Sequence, residues 1–213
     1  MKKCKKILIL TVLLFLYILI STINYVNATT SNISSEVFRL HVIANSDSEK
    51  DQALKYKVRD AILEYVEMLS KNVESKQEVI EIVNNNLSSI EKIAEKVIKE
   101  EGFDYDVTAR VGNFSFPTKN YGDISLPSGF YDALMVEIGS ASGKNWWCVM
   151  FPPLCFVDIT TGIVPNESKE VLEENLDTEE YAIISEDTGI MKFKFKLIEM
   201  FENINIALGN TDK

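Results

Sequence analysis

The stretch Asn145-Trp146-Trp147-Cys148-Val149-Met150-Phe151-Pro152-Pro153-Leu154-Cys155-Phe156-Val157-Asp158 decides how the C-terminal half of this chain folds. It holds both tryptophans, two of the three cysteines and a Pro-Pro pair inside an apolar run. Large aromatic rings are costly to leave in water, so the segment is either buried or kept for a partner. Asn145 to Phe151 reads as a strand. Pro152-Pro153 stops it, because neither proline offers an N–H to a ladder. On a strand the rings of Trp146 and Trp147 point to opposite sides of the sheet. One is then core. The other is covered by the rest of the chain or anchors a second protein, a role in which Trp is enriched.

Working back from there, Phe130 to Ile138 is apolar enough for a strand, and Gly139 to Lys144 reads as the hairpin loop joining it to Asn145–Phe151. Leu126-Pro127-Ser128-Gly129 and Tyr121-Gly122-Asp123 are turn signals. Tyr105, Val107, Ala109 and Val111 alternate as a third strand. Before Gly102 the period changes to that of helices. Leu54, Val58, Ala61, Ile62, Tyr65 and Leu69 make one apolar stripe over Glu49 to Leu69. Val79, Val83, Leu87, Ile90, Ala94 and Val97 make another, running to about Lys99, with Asn84-Asn85-Asn86 as a kink. Capping boxes start both, at Ser46 or Ser48 and at Ser75. Glu36 to Ala44 alternates around Arg39 and His41 and reads as a strand with one buried face. Glu167 to Asn175 and Thr178 to Ser185 read as short helices, and length favours a helix for most of Ile190 to Ile206. The expected class is α+β: a small antiparallel sheet covered on one face by a long helical hairpin, with C-terminal helices.

Residues 1–28 read as a signal peptide or N-terminal membrane anchor. Four lysines precede the apolar run Ile7 to Ile20, and Val26-Asn27-Ala28 approximates a small-x-small cleavage site. Counted on to Val26, the same run is long enough to span a bilayer. Residues 29–35 read as a flexible lead, 36–206 as a single extracytoplasmic domain and 207–213 as a tail. The chain carries −10; losing residues 1–28 removes four lysines and no acid, leaving −14. So acidic a surface opposes nucleic acid and anionic lipid. The same loss leaves Cys148 and Cys155 as an even pair in an exported chain, which fits a disulfide. The alternative is two buried thiols in a core strand.

A Cys–His hydrolase would use Cys148 with the single histidine, His41, but apolar neighbours raise a thiol pKa. Asp187-Thr188-Gly189 matches the aspartic-protease triplet, yet that mechanism needs two such aspartates, and a Thr-Gly turn explains it more simply. There is no His-Glu-x-x-His, Cys-x-x-Cys, P-loop or Gly-x-Gly-x-x-Gly. No catalytic residue, cofactor or metal site is read from the chain.

Several motifs occur in a particular order: Phe38-Arg39-Leu40-His41-Val42-Ile43-Ala44-Asn45-Ser46-Asp47, Asp51-Gln52-Ala53-Leu54-Lys55, Val58-Arg59-Asp60-Ala61, Gly112-Asn113-Phe114, Tyr121-Gly122, Leu126-Pro127-Ser128-Gly129-Phe130-Tyr131, then Trp146-Trp147-Cys148 through Pro152-Pro153-Leu154-Cys155-Phe156. In this order they resemble the stage II sporulation protein R family over roughly Glu36 to Ile206. The resemblance implies a signal and not a catalyst. Such proteins are exported from the forespore into the space between the two sporulation membranes, where they trigger a membrane-embedded aspartic protease of the mother cell that cuts the sigma-E precursor. The expected partner is the extracytoplasmic face of that protease. The expected contact residues are His41, Asn45, Asn145, Trp146, Trp147, Phe151, Pro152, Pro153 and Phe156. The rivals are the cysteine hydrolase and a structural cell-envelope module.

Overall fold

Ser48 decides where the first helix of the folded domain begins. In the computed structural model, which describes residues 2–71, 73, 75–155 and 164–185, its Oγ accepts from Asp51 N at 3.2 Å. An N-terminal helix α1 (Lys2–Ser35) and a strand β1 (Phe38–Ile43) precede that cap, and α2 (Glu49–Leu69) follows it. Leu54, Val58, Ile62, Leu63 and Val66 make the buried face of α2. Ser75 caps α3 (Lys76–Asn85) in the same way, accepting from Glu78 N at 3.3 Å. The asparagine run ends that helix instead of bending it. Asn86 N donates to Val83 O, its side-chain amide donates to Ile82 O, and α4 (Leu87–Glu100) starts afresh. Gly102, at φ +81°, ends α4, a conformation that favours glycine.

Among the described residues, four strands form the main sheet in the order β2 (Val107–Phe116), β5 (Gly129–Ile138), β1, β6 (Asn145–Phe151). The strands β3 (Lys119–Tyr121) and β4 (Ile124–Leu126) make a separate hairpin. Two expectations are corrected here. β5 and β6 are not hairpin partners, because β1 lies between them, parallel to β5 and antiparallel to β6. The sheet is therefore mixed. Nor does β1 have a wet face: Phe38, Leu40 and Val42 are buried on one side, Arg39 and His41 on the other. A strand buried on both faces belongs in a sheet's interior.

The segment from Gly139 to Lys144 passes over the end of β1 and is pinned there by Asn45. The Asn45 Oδ1 accepts from Ser140 N at 2.9 Å, and its carbonyl accepts from the Ser140 and Ser142 hydroxyls, each at 2.7 Å. The approach is close. A methyl group on Gly143 would lie 2.3 Å from the Ser46 carbonyl oxygen, so only glycine fits.

The two sheet faces carry two apolar clusters, where a single core was expected. Helices α2, α3 and α4 cover one face. The other face packs Phe116, Tyr131, Ala133 and Val149 under the β3–β4 hairpin and the helices α5 (Asn166–Asn175) and α6 (Thr178–Ser185). Both C-terminal helices lie where the sequence places them. The residues expected to form a flexible lead, 29–35, are instead the end of α1. Ile33 is fully buried in the second cluster, and Asn32 Nδ2 donates to Glu180 Oε1 at 2.7 Å. The helix expected over 190–206, the Asp187-Thr188-Gly189 triplet and the tail at 207–213 lie outside the described residues.

Candidate functional site

The register of β1 against β6 sets the geometry of every residue singled out in the sequence. His41 pairs with Trp147, Val42 with Trp146, Leu40 with Cys148 and Ile43 with Asn145. Alternation then sends His41 and Trp147 to one face and Leu40 and Cys148 to the other. Cys148 is 2% exposed and disulfide-bonded to Cys155, with the two Cα atoms 5.4 Å apart. The structure does not bring Cys148 and His41 together as a nucleophile–base pair. The sulfur is already bonded, and the imidazole lies across the sheet from it.

His41 is a core residue. It is 5% exposed, its ring stacks on Trp147 at 3.7 Å, and Phe116 meets it edge-on at 5.9 Å. Burial pushes its pKa down to about 4; Asn145 beside the ring opposes the shift, and the Arg39 and Arg110 charges add to it. Among the described residues neither ring nitrogen has a hydrogen bond of ordinary geometry. Next to it on the same face, Arg39 is fully buried. Its guanidinium sits 4.1 Å from the Phe116 ring centroid and 4.6 Å from that of Tyr131, and Nη2 donates to the Tyr121 hydroxyl at 2.6 Å. Among the described residues no carboxylate pairs with it. Aromatic faces supply the compensation instead.

Trp146 faces the helices and is half-buried. The Arg59 guanidinium lies 4.4 Å over its ring, and Tyr56 meets it edge-on at 5.3 Å. Asn45, half-buried, holds the 139–144 loop and donates to Asp51 Oδ2 at 3.0 Å. That carboxylate also accepts from Ser46 Oγ and, at 3.1 Å, from the Tyr105 hydroxyl. The Ser46 hydroxyl holds the Asp51 carboxyl below its ordinary range, burial opposes, and Asn45, Tyr105 and Ser48 add to the lowering.

Of the residues expected to touch a partner, Asn145 and Pro153 are exposed, while Asn45, Trp146 and Trp147 are half-buried. His41, Phe151 and Pro152 are buried, so in this fold they shape the surface from beneath it and do not form it. Phe156 lies outside the described residues.

Sequence reading missed a groove of about 310 Å³ beside the disulfide corner. Its apolar lining includes Leu63 and Val66 of α2, Met150 and Phe151 of β6, and Val171 of α5; Cys155 and Pro153 complete one wall, and Glu67 and Glu167 are also among its residues. No local pattern announces it, because its lining comes from α2, β6, α5 and the chain after β6. Among the described residues no group of three or more His, Cys, Asp or Glu side chains is placed to hold a metal ion.

The family described as stage II sporulation protein R matches residues 34–161. A curated relative, stage II sporulation protein R of Bacillus subtilis (strain 168), is 36% identical over 147 residues. The aligned region spans 69% of this chain and 66% of the relative, just under two thirds of the relative's length. No solved structure matches.

Proposed function

Since the chain belongs to the stage II sporulation protein R family and so has a role in sporulation, we propose that it is the exported signal that activates a membrane-embedded aspartic protease of the mother cell, leading to processing of the sigma-E precursor. The observation that carries this reading is the span of the family match, residues 34–161, which includes the β1–β6 pair and the disulfide-closed segment Cys148–Cys155. Two further features fit it. Helix α1 is long and apolar enough to cross a membrane, which fits a signal peptide or an anchor. A disulfide fits an extracytoplasmic domain. The forespore intermembrane space is the compartment in which both would serve.

The mechanism is docking. A ligand shifts a receptor between conformations only by its differential affinity for them. Moving the protease from 1% to 99% active takes roughly a 10⁴-fold preference for the active form. A rigid, disulfide-closed surface suits that task, because little ordering entropy is lost on binding.

The test is reconstitution. The full chain, the protease and the sigma-E precursor are expressed together in a host that does not sporulate, and the cleaved product is sought by immunoblot. Cleavage that requires both the chain and the protease is the expected result. Cleavage without the chain, or none with all three present and correctly located, overturns the proposal.

A further inference from the structure

Helix α5 carries Glu167, Glu170, Glu173 and Glu174 against one lysine, Lys169, whose ammonium is already engaged by Asp123. Glu167 lines the groove at the disulfide corner, and Glu170 and Glu174 follow it along the same side of the helix at spacings of three and four. Glu67 of α2 stands among the residues of the same groove. None of these carboxylates has an ion-pair partner among the described residues. Among the described residues that line the groove, Lys71 is the single cation set against them. The floor is different: Leu63, Val66, Met150, Phe151 and Val171 give it apolar chemistry.

An apolar floor beside uncompensated carboxylates selects its occupant by two criteria at once. Apolar side chains gain from the floor, roughly 25 cal/mol for each Å² removed from water. Lysine or arginine beside them is drawn to the carboxylates, while acidic segments are repelled. Resting on the docking role proposed above, we infer that this groove is the receptor-binding site proper. It takes a short segment of the partner protein in which apolar residues are flanked by Lys or Arg. The Trp146–Arg59 platform lies outside this site, and the disulfide fixes one of its walls by tying Cys155 to β6.

The experiment uses the full chain in nanodiscs of neutral phosphatidylcholine, with empty discs as the blank. The probes are two synthetic peptides of equal length, one alternating leucine with lysine, the other leucine with glutamate. The expected result is saturable binding of the leucine–lysine peptide alone. The double reversal Glu67→Lys with Glu167→Lys, at two exposed positions, weakens it about tenfold at an unchanged melting temperature. In the reconstituted system, processing falls in parallel. Equal binding of both peptides, or binding indifferent to the reversals, overturns the inference. A chain that self-associates and is made monomeric by the reversals also overturns it, because a second copy is then the occupant. Two failures are separable. Wild-type chain that binds the peptide but triggers no processing sinks the signalling role and leaves the groove standing. Processing that survives the reversals sinks the groove and leaves the signalling role standing.

Discussion

His41 makes the folded chain sensitive to mild acid. Its pKa is about 4 in the fold and near 6.5 when unfolded, so the unfolded chain takes up the proton first. The stability linked to the neutral ring is complete above about pH 6.5 and is lost as pH falls towards 4. Between pH 7 and 5 the loss is about 2 kcal/mol. Urea unfolding at a series of pH values should show that slope, and His41→Gln should flatten it. Asp51 behaves as a depressed carboxylate. Its contribution is present above the ordinary carboxyl pKa near 4 and disappears as pH drops through the lower folded value. Asp51→Asn removes the charge that Asn45, Ser46 and Tyr105 bind, and should cost roughly 2–4 kcal/mol in the same measurement even at pH 7.

At the level of elements, the disulfide ties the corner after β6 back to the sheet. Closing a loop this short contributes about 2.5 kcal/mol by the chain-entropy model. The pair Cys148→Ser with Cys155→Ser should lower unfolding stability by about that much and, on the docking role proposed, weaken precursor cleavage without abolishing it, because a groove wall is loosened while no thiol is consumed; complete loss of signalling at unchanged stability would contradict it. Element boundaries were largely legible in the chain, because caps and breakers act locally. Ser48 and Ser75 cap α2 and α3 and Gly102 follows α4, whereas α6 is capped by Asp177, one residue before Thr178. Neighbour relations were not legible. A period of two announces a strand without saying what lies beside it, so β5 and β6 looked like a hairpin until β1 was found between them. Arg39 was misread for a related reason. Alternation marks it as the polar face, and only the distant Phe116, Tyr121 and Tyr131 turn that face into a second core. The groove is further still from local pattern, since α2, β6 and α5 meet there from three parts of the chain.

Taken whole, the molecule binds its N-terminal helix into the domain. A chain begun at residue 36 lacks Ile33 and the Asn32–Glu180 hydrogen bond that a chain begun at residue 29 keeps. The shorter one should be less stable by roughly 3 kcal/mol, a fall in melting temperature of about 10 °C. Equal melting of the two would mean that these residues add nothing to the second cluster. The placement of β1 has its own consequence for timing. A polypeptide threaded through a translocation channel from its amino end delivers the middle strand of the sheet early and its two flanking strands, ending at Phe151, long afterwards. A chain stalled partway therefore has a central strand with nothing on either side, and no surface to present. On the signalling role proposed above, a receptor would then be told only of a crossing that has been completed, and the topology itself would guard against premature messages.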